Sequence, residues 1–90
     1  MTKNQIEAKK MKKIKIIEKK LGREKAWGQF WQGINIVDID PRQKSRRYLN
    51  TLIHEILHCL YPEDSENKIR LNADTLTRYI WIKNYRRIQK

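Results

Sequence analysis

Cysteine occurs once in the ninety residues, at Cys59, so no disulfide can form within the chain. A single free thiol suits a reducing compartment. Proline occurs twice and glycine three times. No Pro-rich linker, Gly/Ser tract or internal repeat divides the chain, so residues 1–90 read as a single domain. No apolar run approaches the roughly 18 residues that a membrane span needs, and no membrane partner is expected. The segment MTKNQIEAKKMKK has no apolar stretch after its charges, unlike a secretory signal. The expected location is the cytoplasm.

Acidic residues are scarce too, with ten against 21 Lys and Arg, for a formal net charge of +11. The excess is uneven. Residues 1–25 hold ten bases and three acids, and residues 75–90 hold five bases and no acid. Residues 26–74 hold six bases and seven acids. Two basic ends suit a polyanion, meaning nucleic acid or an acidic protein surface, but they equally suit a solvated lysine-rich face. The first ten residues read as a flexible basic segment. Hydrophobic residues make up 39% of the chain, which permits a core, though a small one. A chain this short benefits from a staple, and a metal is the available kind.

The apolar pattern changes period along the chain. In residues 13–19 (KIKIIEK), Ile14 and Ile16 alternate with lysines and predict a strand with one wet face. A loop around Gly22 follows. Residues 26–31 (AWGQFW) predict an aromatic strand in which Gly28 marks a bulge or a close approach. After Gly33, residues 34–39 (INIVDI) predict a third strand with Ile34 and Ile36 on one face. Asp40-Pro41 ends it.

Residues 43–60 predict a long helix. At about 100° per residue, Leu49, Leu52, Ile53, Ile56, Leu57 and Leu60 share one side, and His54 and His58 fall opposite. Pro62 stops this helix, and Asp64 or Ser65 can cap a second one over residues 66–84. Its Ile69, Ala73, Leu76 and Ile80 recur every three or four residues. Strands first and helices after predict an α+β fold: a small antiparallel sheet of two to three strands, then two long helices.

His54 and His58 are the chain's two histidines, and Glu55 follows the first, giving H-E-x-x-H on a helix. Residues four apart stand one above the other on a helix face, so both imidazoles can reach one Zn²⁺ at about 2.0–2.1 Å. Glu55 lies beside the pair, placed to accept a proton from water whose pKa the metal lowers towards about 7. The same group can then protonate a leaving amine. A catalytic zinc needs a third protein ligand. Histidine is exhausted and Cys59 falls on another side of the helix. A carboxylate is therefore required, from among Glu63, Asp64, Glu66 and Asp74. Glu66 is preferred because a returning helix brings its first turn beside His58, and Asp64 is second. Acids at that place also serve as ordinary N-terminal helix partners.

The segment from His54 to His58, with strands before it and a helix after it, resembles the zincin metallopeptidases. It is most similar to their small single-domain members of phage and mobile-element genomes. The resemblance covers about residues 13–82, and its specific part runs from His54 to Glu66. It implies His54 and His58 as metal ligands, Glu55 as general base and Glu66 as the ligand of the glutamate branch. Asp64 matches the ligand spacing of the longer-motif branch, but Tyr61 stands where that branch has glycine. SprT-like proteases are a looser match. A phage-encoded chain of this kind is expected in the host cytoplasm.

Two functions follow as expectations. One is a zinc metallopeptidase acting on a peptide or protein substrate, with residues 27–31 either pairing with that peptide or filling the core. Its oxyanion donor is sought among Tyr48, Tyr61, Tyr79, Tyr85 and the arginines. Trp81, Tyr85, Arg86 and Arg87 either cover the site or form a surface patch. The other function is a catalytically inactive, zinc-stabilised basic adaptor that binds nucleic acid or an acidic protein.

Overall fold

The structure, a computed structural model, describes residues 11–22 and 27–88. The basic segment 1–10 and part of the loop after Gly22 lie outside the described residues. Three short strands, β1 (Lys15–Glu18), β2 (Gly28–Trp31) and β3 (Ile36–Ile39), precede two helices, α1 (Ser45–Leu60) and α2 (Glu66–Ile82). The chain is α+β.

The sheet runs β1-β3-β2, with β3 antiparallel to β2 and parallel to β1. It is therefore mixed rather than wholly antiparallel. The tight β2–β3 hairpin occupies one edge of β3 and leaves β1 the other. A longer connection, not a turn, then sets the direction of β1. The hairpin turn uses Gly33 at φ 87° and Asn35 at φ 53°, residue types that tolerate left-handed backbone. Ile34 is spent on that turn and is exposed, so it does not share a buried face with Ile36. Val37 and Ile39 take that role and are fully buried. Ile16 is also exposed, because β1 is an edge strand.

Pairing registers Phe30 with Val37 and Gly28 with Ile39. Alternation then puts these four on the face toward α1, and Gln29, Trp31 and Asp38 on the other. There the buried Asp38 carboxylate accepts bonds from Gln29 Nε2 (2.9 Å) and Trp31 Nε1 (2.7 Å) and pairs with Lys19 (3.3 Å). Burial raises its pKa, but these partners outweigh that and hold it below the ordinary value.

Helix α1 packs on β2 and β3 with one side and on α2 with another. Leu57, Ile69 and Ala73 form the buried helix–helix cluster, with Ile53 against it. Covered twice, α1 has little wet surface: Tyr48, Glu55, Leu57 and Cys59 are buried, whereas Leu60 is exposed. Ser65 caps α2, its Oγ accepting from the Lys68 N–H at 3.2 Å.

The link from β3 to α1 is tied by two side chains. Asp40 accepts from the Leu21 N–H (3.1 Å) and from Arg42 Nε (2.9 Å) and Nη2 (2.6 Å). Gln43 donates to the carbonyls of Asp40 (2.8 Å) and Trp27 (3.2 Å) and accepts from Thr51 Oγ1 (2.7 Å). One amide thereby joins β2, the β3 exit and α1. The Arg42 guanidinium, helped by backbone N–H groups and opposed by burial, holds the Asp40 carboxyl well below the usual carboxylate range.

A depressed carboxylate contributes stability above its unfolded pKa and loses it as pH falls through the folded one. Acid unfolding will therefore set in below about pH 4, and Asp40→Asn will flatten that limb of a denaturation-against-pH curve. Gly28→Ala tests the strand–helix approach. The added Cβ would stand 2.6 Å from Thr51 Cγ2 and 3.1 Å from Glu55 Cγ. Urea unfolding will show a loss of about 1–3 kcal/mol, the usual cost of overpacking.

Candidate metal centre

The last two turns of α1 carry His54 and His58, and the first turn of α2 carries Glu66. Tyr61-Pro62-Glu63-Asp64 reverses the chain between them, and the Asp64 N–H donates to the Tyr61 carbonyl at 3.1 Å. His54 Nε2 lies 2.7 Å from Glu66 Oε1, and His58 Nε2 lies 2.7 Å from Glu66 Oε2. The two Nε2 atoms are 3.3 Å apart. One ligand atom from each of the three residues falls within 4.8 Å of the others.

The donor chemistry fits zinc. Two nitrogens at about 2.0–2.1 Å from one tetrahedral ion stand about 3.3 Å apart, and two imidazoles with a carboxylate make an open three-ligand set. The carboxylate sits closer to the nitrogens than such a set requires. Its side chain is 66% exposed and has room to move back.

Phe30 sets one ligand. Its ring stacks on His58 with centroids 4.5 Å apart and planes 9° from parallel. That contact restricts the imidazole's rotation and aims its Nε2 at Glu66. Sequence reasoning missed this role, although strand alternation placed Phe30 on the same face as Gly28.

Glu55 lies buried beside the pair, under β2. Its pKa is pushed up to about 7, chiefly by burial and further by the charge of Glu66, while His54 pulls it down. A cation held at the histidines would act in the lowering direction. A cleft of about 500 Å³ opens over these groups, lined by Trp27, Gly28, Phe30, Asn50, Thr51, His54, Glu55, His58 and Glu66.

The other acids expected as ligands go elsewhere. Asp64 turns to Lys68 at 3.5 Å. Asp74 accepts from Asn50 at 3.0 Å. Glu63 is exposed and lies outside the cluster. The four tyrosines do not line the cleft. Tyr48 instead donates to Glu18 at 2.6 Å, under the Arg87 guanidinium. Arg86 stacks on Trp81 at 3.5 Å, and none of Trp81, Tyr85, Arg86 and Arg87 lines the cleft. Comparison with known proteins places the chain in no family: no family model, no curated protein and no solved structure matches it.

Zinc titration followed by thermal unfolding checks the centre. Zinc at a hundred times its Kd will stabilise the wild-type chain by about 2.7 kcal/mol. His58→Ala and Glu66→Ala will lose most of that gain, and Asp64→Ala will keep it.

Proposed function

We propose that this chain is a small zincin-like metallopeptidase in which His54, His58 and Glu66 hold zinc and Glu55 is the general base. The observation that carries this reading is the convergence of the three donors within 4.8 Å, with a buried carboxylate alongside in an open cleft. When bound, zinc supplies Lewis acidity at the scissile carbonyl and makes water more acidic.

The protein's own groups do the rest. Glu55 accepts a proton from the attacking water at a carboxylate oxygen and returns it to the departing amine. Burial under β2 shields that carboxylate from bulk solvent. Strand β2 is an edge of the sheet, and an extended peptide can pair with its free side. Its register would then carry the peptide across the cleft that holds His54 and His58.

The second reading is a catalytically inactive, zinc-stabilised basic adaptor for nucleic acid or an acidic protein, favoured by the net charge of +11. Glu55→Gln separates the two. The variant will keep its zinc and lose about 10²–10⁴-fold in peptide hydrolysis, the usual worth of a general base. Zinc-loaded wild-type chain that cleaves no member of a mixed peptide library sinks the peptidase. Salt-sensitive polyanion binding that survives the substitution then supports the adaptor.

A further inference from the structure

A second cleft, of about 800 Å³, opens at the start of α1. It meets the first at Trp27 and Asn50, which line both. Among the described residues, Arg42, Lys44, Arg46 and Arg47 line it, against the single acid Asp74. Two of these charges are already engaged: Arg42 grips Asp40 at 2.6 Å, and Asp74 accepts from Asn50. Among the described residues, no acid pairs with Lys44, Arg46 or Arg47 within 4.0 Å, and the first turn of α1 contains no acid. Arg47 reaches over the Trp27 ring at 5.9 Å, at the boundary between the clefts.

We propose that Lys44, Arg46 and Arg47 form a subsite for an acidic stretch of the peptide substrate. The proposal rests on the peptidase reading above and names its substrate class. Trp27 immediately precedes β2, so a peptide paired along that strand and continuing past Trp27 runs from the zinc ligands into the basic cleft. The cleft is too large for one side chain and takes several residues. Three exposed cations at its rim draw in a run of Asp or Glu. An oligonucleotide would match the charge but lacks the backbone donors and acceptors that a strand edge pairs with, so the observations favour the peptide.

The test uses fluorescein-labelled peptides of equal length, identical except for a block of four Glu or four Lys beyond the β2-paired stretch. Binding is read by anisotropy with zinc-loaded Glu55→Gln chain, which leaves the peptide intact. The Glu peptide will bind at least tenfold tighter, and the gap will shrink as salt rises. Adding Arg46→Glu and Arg47→Glu, both exposed, will abolish or reverse the preference. Equal binding of the two peptides overturns the subsite, as does a preference that survives the reversal. Oligothymidylate that binds tighter than the Glu peptide and displaces it also overturns it, in favour of a nucleic-acid surface. Hydrolysis by the wild-type chain is measured alongside. Cleavage without acidic preference sinks the subsite alone, and acidic preference without cleavage sinks the peptidase alone.

Discussion

Gly28 lets β2 lie directly on α1, with no side chain of its own between strand and helix, and the site depends on that contact. Thr51 and Glu55 occupy the space a Cβ would need. The approach buries Glu55. Two residues along β2, on the same face, it seats Phe30 flat on His58. Gln43 fastens the arrangement by bonding to the β2 entry, the β3 exit and α1 at once. Strand, linker and helix thus hold one another, and the chemistry-bearing groups take their positions from backbone packing rather than from loops.

The opposite side of α1 supplies the remaining piece. Leu57, Ile69 and Ala73 pack α1 on α2, and the short turn through Pro62 returns α2 so that its first residue faces the histidine pair. Glu66 then links two helices of a domain that has no disulfide to link them. An ion held there would stabilise the fold and serve the chemistry together, since binding to the folded state alone adds to stability. In a chain near the lower size limit for a single core, one occupied site would carry both burdens.

Charge follows the same layering. Four of the seven acids of the central segment turn inward or toward the cleft: Asp38 and Asp40 are buried among their donors, Glu55 is buried and Glu66 meets the histidines. Four of the bases in that segment, Arg42, Lys44, Arg46 and Arg47, stand together at the rim of the second cleft. A segment that is nearly neutral by count therefore presents a cationic surface beside the candidate centre. A sum along the chain hides this, because it weighs a buried, partnered carboxylate equally with an exposed guanidinium.

Some of this was legible in the residues alone. Helical periodicity and the breaks at Pro41 and Pro62 located both helices to within two residues, and Ser65 was a recognisable cap. The four-residue spacing of His54 and His58 placed them on one face, because helix geometry is local. Glu66 was preferred over Asp64 from the expected return of α2. Other features depend on contacts between segments far apart in sequence. The parallel pairing of β1, the exposure of Ile16 and the stacking of Phe30 on His58 all follow from which strand takes which edge. The acids divide between the two kinds: Asp74 accepts from Asn50, a partner far off in sequence, whereas Asp64 pairs with Lys68 only four residues on. By itself the sequence determined the elements and the H-E-x-x-H face, since those depend on neighbours within one helical turn. Only the tertiary structure decided which acid meets the histidine pair, the burial of Glu55 and the basic cleft beside it, because each arises where separate elements pack against one another.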